Sequence, residues 1–520
     1  MSPARTPSGA QRLAAATPEL LGGAVPARHG RVAVDELRVL ANTAAAHGGR
    51  LAALWGTDER DRAGGLALHV VLAADAALHW VEVPLAEGLT YPDLSGIFAP
   101  ANRLQRATAD LLGIRPADGD PRRWLRHAAW PADFHPLRRD ADAAARHETG
   151  VDDYPFVPVA GDGVHEIPVG PVHAGTIEPG HFRFSVVGEK VLRLEERLGY
   201  KHKGIDRRFA GLTPAEGARL AGRVSGDSTV AFAWAYAMAV EAACDCELPP
   251  RALWLRALAL ERERIANHLG DLGYLGNDGG LAFGLAQFMR LKEEAVRVNA
   301  TAFGHRYAMD FVVPGGVARD PDPAALAALA AQSGALEREV RVLKDIYDDH
   351  AGLQDRFLAC GFLEPELAAK LGVIGLAGRA SAQAWDARVA PGYAPYGELG
   401  VQLVTRTAGD VAARVAVRFD ELFESLRLVR EIVARLPAGP ASVPVSTPAS
   451  SRRGIGWTEG WRGESVVSLE LDGGRLRFCH AHDPSWQNWP ALEHAIIGNI
   501  VPDFPLINKS FNLSYSGQDL

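Results

Sequence analysis

Residues 251–273 read RALWLRALALERERIANHLGDLG. At about 100 degrees per residue, Trp254, Leu258, Ile265 and Leu269 fall within about 60 degrees of one another, so the stretch predicts a helix with one apolar stripe. Glu261, Arg264 and His268 follow one border of that stripe, which leaves three ionisable groups half-buried together. Two roles fit such a triad: a structural ion-pair network at a helix–helix contact, or a cluster that tunes a nearby redox centre or proton path. A partner helix is legible in residues 414–440, RVAVRFDELFESLRLVREIVARLPAGP. There Val415, Phe419, Leu422, Leu426, Val429, Val433 and Leu436 form a continuous apolar seam that Pro437 and Gly439 end. Helices dominate beyond residue 200.

The rest of the chain is mixed. In GLALHVVLAAD, residues 65–75, Leu66, Leu68, Val70 and Leu72 share one face, the period-2 pattern of a half-buried sheet. FAPANRLQRATADLLGI (98–114) reads as a helix, and ESVVSLELDGGRLRFCHAH (464–482) as a hairpin turning at Asp472-Gly473-Gly474. Residues 135–168 are polar, then rich in Pro and Gly, which marks a linker with a boundary near residue 150. The Ala/Pro/Thr-rich start reads as a loose arm. The expected fold is α+β: a flexible arm over 1–30, an α+β domain over 31–150, and a mainly α-helical domain with small β portions over 151–520. No internal repeat is visible.

Composition excludes several functions. The 520 residues are 47% hydrophobic, enough for ordinary cores, and 55 Lys and Arg against 63 Asp and Glu give a net charge of -8, without the basic footprint of a nucleic-acid binder. No run approaches the ~18 to 20 apolar residues that cross a bilayer, and the first residues lack an apolar signal core, so the chain itself is expected in the cytoplasm. The 4 cysteines, Cys244, Cys246, Cys360 and Cys479, include no Cys-x-x-Cys pair and read as small packing residues. NDGGLAFG and HKGIDRR do not have the spacing of a phosphate loop, and no nucleophile-elbow sequence occurs.

Longer motifs carry a resemblance. YPDLSGIFAPANRLQRATADLLGI (91–114), with DPRRWL and DFHPLRRD after it, resembles the C subunit of respiratory complex I and the front of formate-hydrogenlyase-type large subunits. GPVHAGTIEPGHFRFSVVGEKVLRLEERLGYKHKGIDRRFAG (170–211), ALERERIANHLGDLG, DFVVPGGVARD and GLAGRASAQAWDAR follow in the order of the complex I D subunit and of the large subunit of group 4 [NiFe] hydrogenases. The family's hydrogenases hold nickel and iron with thiolates from two Cys-x-x-Cys pairs. Laid on GRVSGDSTVAFAWAYAMAVE and NLSYSGQDL, those positions fall on Ser225, Ser228, Ser514 and Gly517, so no metal is expected in this chain: nickel in such sites needs soft sulfur anions, which a protonated hydroxyl does not replace.

The resemblance implies further roles. His173, from HAGTIEP, stands where the D subunit has a quinone-site histidine, and is either a loop histidine bonded to backbone or part of a cavity or proton path. Glu178 matches a carboxylate that moves protons in the hydrogenase version of this loop, and Asp227 lies between the two substituted positions. These three are the catalytic candidates. His181 is a candidate for a second histidine, and the D-subunit tyrosine position falls on Gly226. Lys201, His202, Lys203, Arg207 and Arg208 are either a solvated turn or a contact with a small subunit near its iron–sulfur cluster. His202, Arg223, Glu261, Arg264 and His268 are the candidates for flanking that cluster. The implied partners are a small subunit carrying a [4Fe-4S] cluster and antiporter-like membrane subunits, with this chain peripheral on the cytoplasmic side of the cell membrane and quinone as a possible acceptor. The alternative is a non-catalytic scaffold or conformational-coupling subunit. A polar chamber lined by His173, Glu178, Asp227 and Ser514 would favour chemistry; one plugged by Phe232, Trp234 or Phe511 would favour the scaffold.

Overall fold

A computed structural model describes residues 9–520 apart from 63, 86–89, 143, 149, 152 and 176. The N-terminal region is a five-stranded sheet of β1 (Glu19–Leu21), β2 (Ala27–Arg31), β3 (Arg50–Asp58), β4 (Leu66–Ala74) and β5 (Ala77–Leu85), in the order β1-β2-β5-β4-β3. β2 lies parallel to β5 and the other neighbours are antiparallel. Helix α1 (Gly9–Ala16) precedes the sheet, α2 (Val34–Ala46) connects β2 to β3, and α3 (Ala101–Leu112) packs on β3.

This corrects the loose arm: over residues 9–30 the chain is built into the fold. Leu13 is fully buried and β2 sits inside the sheet, because Gly30 lets the strand pass close to the backbone of Ala16 and Thr17. The arm's first eight residues lie outside the described ones. The half-buried reading of β4 is also corrected, since all nine of its residues are buried. Its Leu68 and Val70 pair with Gly56 and Leu54, on the side where α3 lies; Gly56 faces Leu112. His69, on the other face, stacks with Trp55, which stacks in turn on His480 from the C-terminal sheet. A second layer therefore covers the face that alternation assigned to solvent.

After the linker, an antiparallel sheet of β6 (Val164–Val169), β7 (His181–Val187) and β8 (Lys190–Arg197) leads into short helices α4 (Ile205–Phe209) and α5 (Pro214–Ala221). The helical body consists of α6 (Thr229–Ala243), α7 (Pro250–Asp278), α8 (Ala282–Phe303), α9 (Pro323–Asp349) and α10 (Val411–Arg435). α7 packs on α8 and α10, and α9 closes the bundle against both of those. The seam read in residues 414–440 is present: Phe419, Leu422, Leu426 and Val429 are buried along α10.

The chain ends with β9 (Arg452–Glu459), β10 (Glu464–Asp472) and β11 (Arg475–His482), then α11 (Ser485–Ala495), α12 (Phe504–Phe511) and α13 (Tyr515–Asp519). Asp472 to Arg475 turn the expected hairpin. α6 lies directly on β9 because Gly454 and Gly456 carry no side chain: a Cβ there would sit 1.8 Å from Ala239 O or 1.9 Å from Ala235 O. Ion pairs stitch the N-terminal sheet to this end, with Arg62 on Glu470 at 2.5 Å and Arg477 on Glu59 at 2.6 Å.

Burial in α7 exceeds the amphipathic reading. Glu261, Arg264 and His268 are fully buried, not half-buried, because α10, the β9–β10 turn and residues 379–396 enclose the border on which they lie.

Candidate functional site

Two segments far apart in sequence meet at the serines. The turn before α6 presents Ser225, Asp227 and Ser228, and the tail between α12 and α13 presents Ser514. Ser225 Oγ lies 2.8 Å from Ser514 Oγ and 3.0 Å from Asp227 Oδ1. Gly517 N donates to Ser514 Oγ at 2.9 Å, which caps α13. All three serines are buried.

The centre of the cluster is a residue that sequence reading passed over. Arg462, in the tight β9–β10 turn, donates to both carboxylate oxygens of Asp227 at 2.7 and 2.6 Å, to Ser228 Oγ at 3.3 Å and to the Asn512 carbonyl at 2.5 Å. Its guanidinium lies 3.9 Å from the centre of the Trp461 ring. Burial would raise the Asp227 pKa, but the charge and hydrogen bonds of Arg462 hold it below the usual carboxylate value. The Asp227 side chain is nevertheless 44% exposed, so the cluster reaches the surface.

Asp483 was also missed. It is fully buried, burial raises its pKa, and its Oδ2 has no hydrogen-bond partner among the described residues. A Cβ on Gly517 would sit 2.1 Å from that oxygen, so Asp483 occupies the space into which a side chain at 517 would grow. The site therefore offers hydroxyls, two carboxylates and a guanidinium. A soft metal dication fits neither these hard oxygens nor a fixed cation among them. Cys360 and Cys479 are buried elsewhere, and Cys244 and Cys246 are partly buried where α6 ends.

The other candidates lie on the loop that leads into β7 and at the start of that strand. His173 Nε2 bonds the Gly180 carbonyl at 2.9 Å, the backbone-bonded alternative, and its ring lies against Phe182. His181 Nδ1 bonds the Gly170 carbonyl at 3.1 Å. Glu178 meets the tail through Ser516, accepting its N–H at 3.0 Å and its hydroxyl. Asp227 and Ser514 meet at Ser225, Glu178 reaches the same tail two residues on, and His173 bonds the backbone of its own loop. The suggested aromatics pack elsewhere: Phe232 with the α6–β10 core, Trp234 on Tyr393 and Tyr396, and Phe511 under Arg414. Protein polar groups fill the cluster instead.

The five residues assigned to the cluster-flanking role have three separate sets of partners. His202 bonds the Asp519 carbonyl at 2.7 Å, and burial lowers its pKa. Arg223 makes a two-pronged pair with Asp310. Glu261 accepts from Arg388, Tyr396 and Ser425 at 3.0, 2.7 and 2.6 Å, Arg264 binds the Glu459 and Gly460 carbonyls, and His268 meets Glu421 at 3.0 Å. That last set is a buried ion-pair network between helices. It borders the serine cluster through Trp461, whose ring stands edge-on to His268 and whose N–H donates to the Asp227 carbonyl at 2.8 Å.

Comparison with known proteins agrees with this architecture. Residues 31–147 match the model of the respiratory-chain NADH dehydrogenase 30 Kd subunit, and residues 278–454 that of its 49 Kd subunit. Formate hydrogenlyase subunit 5 of Escherichia coli (strain K12) is 32% identical over 486 residues, covering 91% of this chain and 85% of that protein. The chain belongs to the group 4 hydrogenase large-subunit family. Within that family, hydrogenase-4 component G of the same organism is 33% identical and covers 91% of this chain and 84% of its own. A chain of the membrane-bound sulfane sulfur reductase, an archaeal respiratory membrane complex, shares the fold with a TM-score of 0.65 at 23% identity, over 70% of this chain and 100% of its own.

Proposed function

We propose that this chain is the large subunit of a complex I-like, membrane-associated oxidoreductase assembly that works without a nickel–iron centre of its own. Electrons pass through a [4Fe-4S] cluster in a small partner subunit to a quinone or another acceptor, and antiporter-like membrane subunits couple that transfer to ion movement. The observation that carries the reading is the internally neutralised cluster of Ser225, Ser514, Asp227 and Arg462, at the place where the family resemblance puts thiolate ligands. Hydroxyl donors and a resident guanidinium support a metal-free large subunit.

The surface beside the cluster supports docking. Val172 is 87% exposed and Ile177 44%, on the loop that Glu178 ties to the tail. The basic turn at 201–208 holds the other side of that tail, since Lys203 N and Gly204 N donate to Leu520 O. Partner subunits covering this face would place the chain at the cytoplasmic side of the membrane, and no helix among the described residues is long and apolar enough to cross it.

A scaffold or conformational-coupling role is the second reading, favoured by the same Arg462–Asp227 pair, which fills the old site with protein. Purification of the native complex separates the two. The expected result is iron without stoichiometric nickel, no hydrogen evolution, and a cluster reoxidised by added quinone. Nickel at one atom per chain would overturn the metal-free proposal; a cluster inert to quinones and other acceptors would leave the scaffold.

A further inference from the structure

Away from the serines, the seam between the N-terminal sheet and the C-terminal hairpin encloses a cavity of about 420 Å³. Four guanidinium groups, of Arg138, Arg139, Arg207 and Arg477, line it together with three carboxylates. Each acid has a partner: Asp58 pairs with Arg60 at 2.6 Å, Glu59 with Arg477 at 2.6 Å, and Asp206 with His480 at 2.8 Å through Oδ2, while its Oδ1 has no hydrogen-bond partner among the described residues. Arg139 turns toward Asp61 at 3.2 Å. Arg138 and Arg207 remain. Arg138 donates to the Leu112 carbonyl and Arg207 to the carbonyls of Pro136 and Ala141, and neither has a carboxylate partner among the described residues. These carbonyls accept hydrogen bonds without neutralising the guanidinium charge, which at Arg138 is met at longer range by Asp140.

Besides Asp206 Oδ1 and Arg477 Nε, two more groups on this wall lack partners. Trp55 Nε1 and His480 Nε2 have no hydrogen-bond partner among the described residues, although Trp55 is only 4% and His480 5% exposed. Leaving a buried polar atom unpaired costs about 1–3 kcal/mol, so orphans of this kind call for something that meets them. The volume is within the range of sites for small molecules.

We propose that the seam cavity binds a small oxyanion, a phosphate- or carboxylate-bearing metabolite, held by Arg138 and Arg207 with Trp55 and His480 completing its hydrogen bonds. The position makes the ligand an effector. Arg207 lies on α4, directly after the turn whose Lys203 and Gly204 hold Leu520 and whose His202 holds Asp519. An anion drawn to Arg207 acts on the segment that anchors the tail bearing Ser514 and Ser516.

Equilibrium dialysis of the full chain tests this, with inorganic phosphate in one arm and malonate in the other, at an ionic strength fixed with chloride. The expected result is saturable binding of one anion per chain in at least one arm, and the tighter arm identifies the source chemistry. Arg138→Gln should weaken binding tenfold or more, while Arg290→Gln, on the exposed face of α8, should not. Because Arg138 also ties the linker to α3, a second readout uses the unmodified chain: the bound anion should shift the indole N–H resonance assigned through Trp55→Phe. No binding of either probe at millimolar concentration, undiminished binding by a folded Arg138→Gln chain, or an unshifted Trp55 resonance at saturation would overturn the proposal.

Discussion

Replacing Arg462 by Met is the sharpest perturbation of the serine cluster, because it removes the positive charge and keeps most of the volume. Breaking a buried ion pair by deleting one partner costs about 3–5 kcal/mol. Since the Asp227 side chain is 44% exposed, water recovers part of that and about 2 kcal/mol remains. The lost bond to the Asn512 carbonyl adds about 1 kcal/mol, and the lost stacking on Trp461 about 0.5–1 kcal/mol. The sum, about 3–4 kcal/mol, acts on the tail, where Asn512 also bonds Asp271 and Ser514 N bonds Ser485 Oγ. At about 1.4 kcal/mol per decade, amide exchange at Ser514, Ser516 and Gly517 should accelerate by two to three orders of magnitude. Arg462→Met combined with Asp227→Asn should recover much of the loss, because an absent pair costs less than a broken one. Acid should mimic the substitution. Asp227 has a folded pKa below its unfolded value, so its contribution is complete above the ordinary carboxylate pKa and disappears as pH falls through the folded one. Tail protection within threefold of the parent chain in Arg462→Met would refute this reasoning.

A cysteine at position 517 should not be accommodated. Gly517→Cys puts a Cβ 2.1 Å from Asp483 Oδ2, and a drop in thermal midpoint of several degrees, seen by scanning calorimetry, is expected. Gly456→Ala drives a methyl into the Ala235 carbonyl at 1.9 Å, with an expected cost of about 3 kcal/mol measured by urea unfolding. Glu263, which accepts from Val230 N and Ala231 N, has its pKa pushed up to about 8 by burial. The folded state therefore holds a proton that the unfolded state releases, and stability should decline as pH rises from about 4.5 toward 8. Glu263→Gln should flatten that slope in a series of melts across this range.

The helices were legible where periodicity is strong. The α10 seam and the β10–β11 turn follow from local sequence, because apolar spacing and turn residues act over a few positions. What local pattern could not show is how many layers cover a surface. β4 alternates like a half-exposed strand, yet the imidazole of His480, arriving from hundreds of residues away, covers its second face through Trp55. α7 likewise reads as amphipathic, although its charged border is buried against acids and arginines from α10 and from residues 386–388. The meeting of Ser225 with Ser514 could be read only through resemblance, since nothing in either segment names the other. Arg462 escaped because a lone arginine in a Trp-Arg-Gly turn looks like surface; its role depends on Asp227 and Asn512, each distant in sequence.

The parallel pairing of β2 with β5 bears on where this chain can be cut. Similarity to the 30 Kd subunit begins at residue 31, the last residue of β2. A fragment begun there would lose all of the strand but that residue, and Leu13 of α1 with it, baring the backbone edge of β5 from Leu78 to Val81. Such an edge invites strand-to-strand association between molecules. Anyone isolating the N-terminal unit should start upstream of α1, or expect aggregates that reflect the scissors and not the protein.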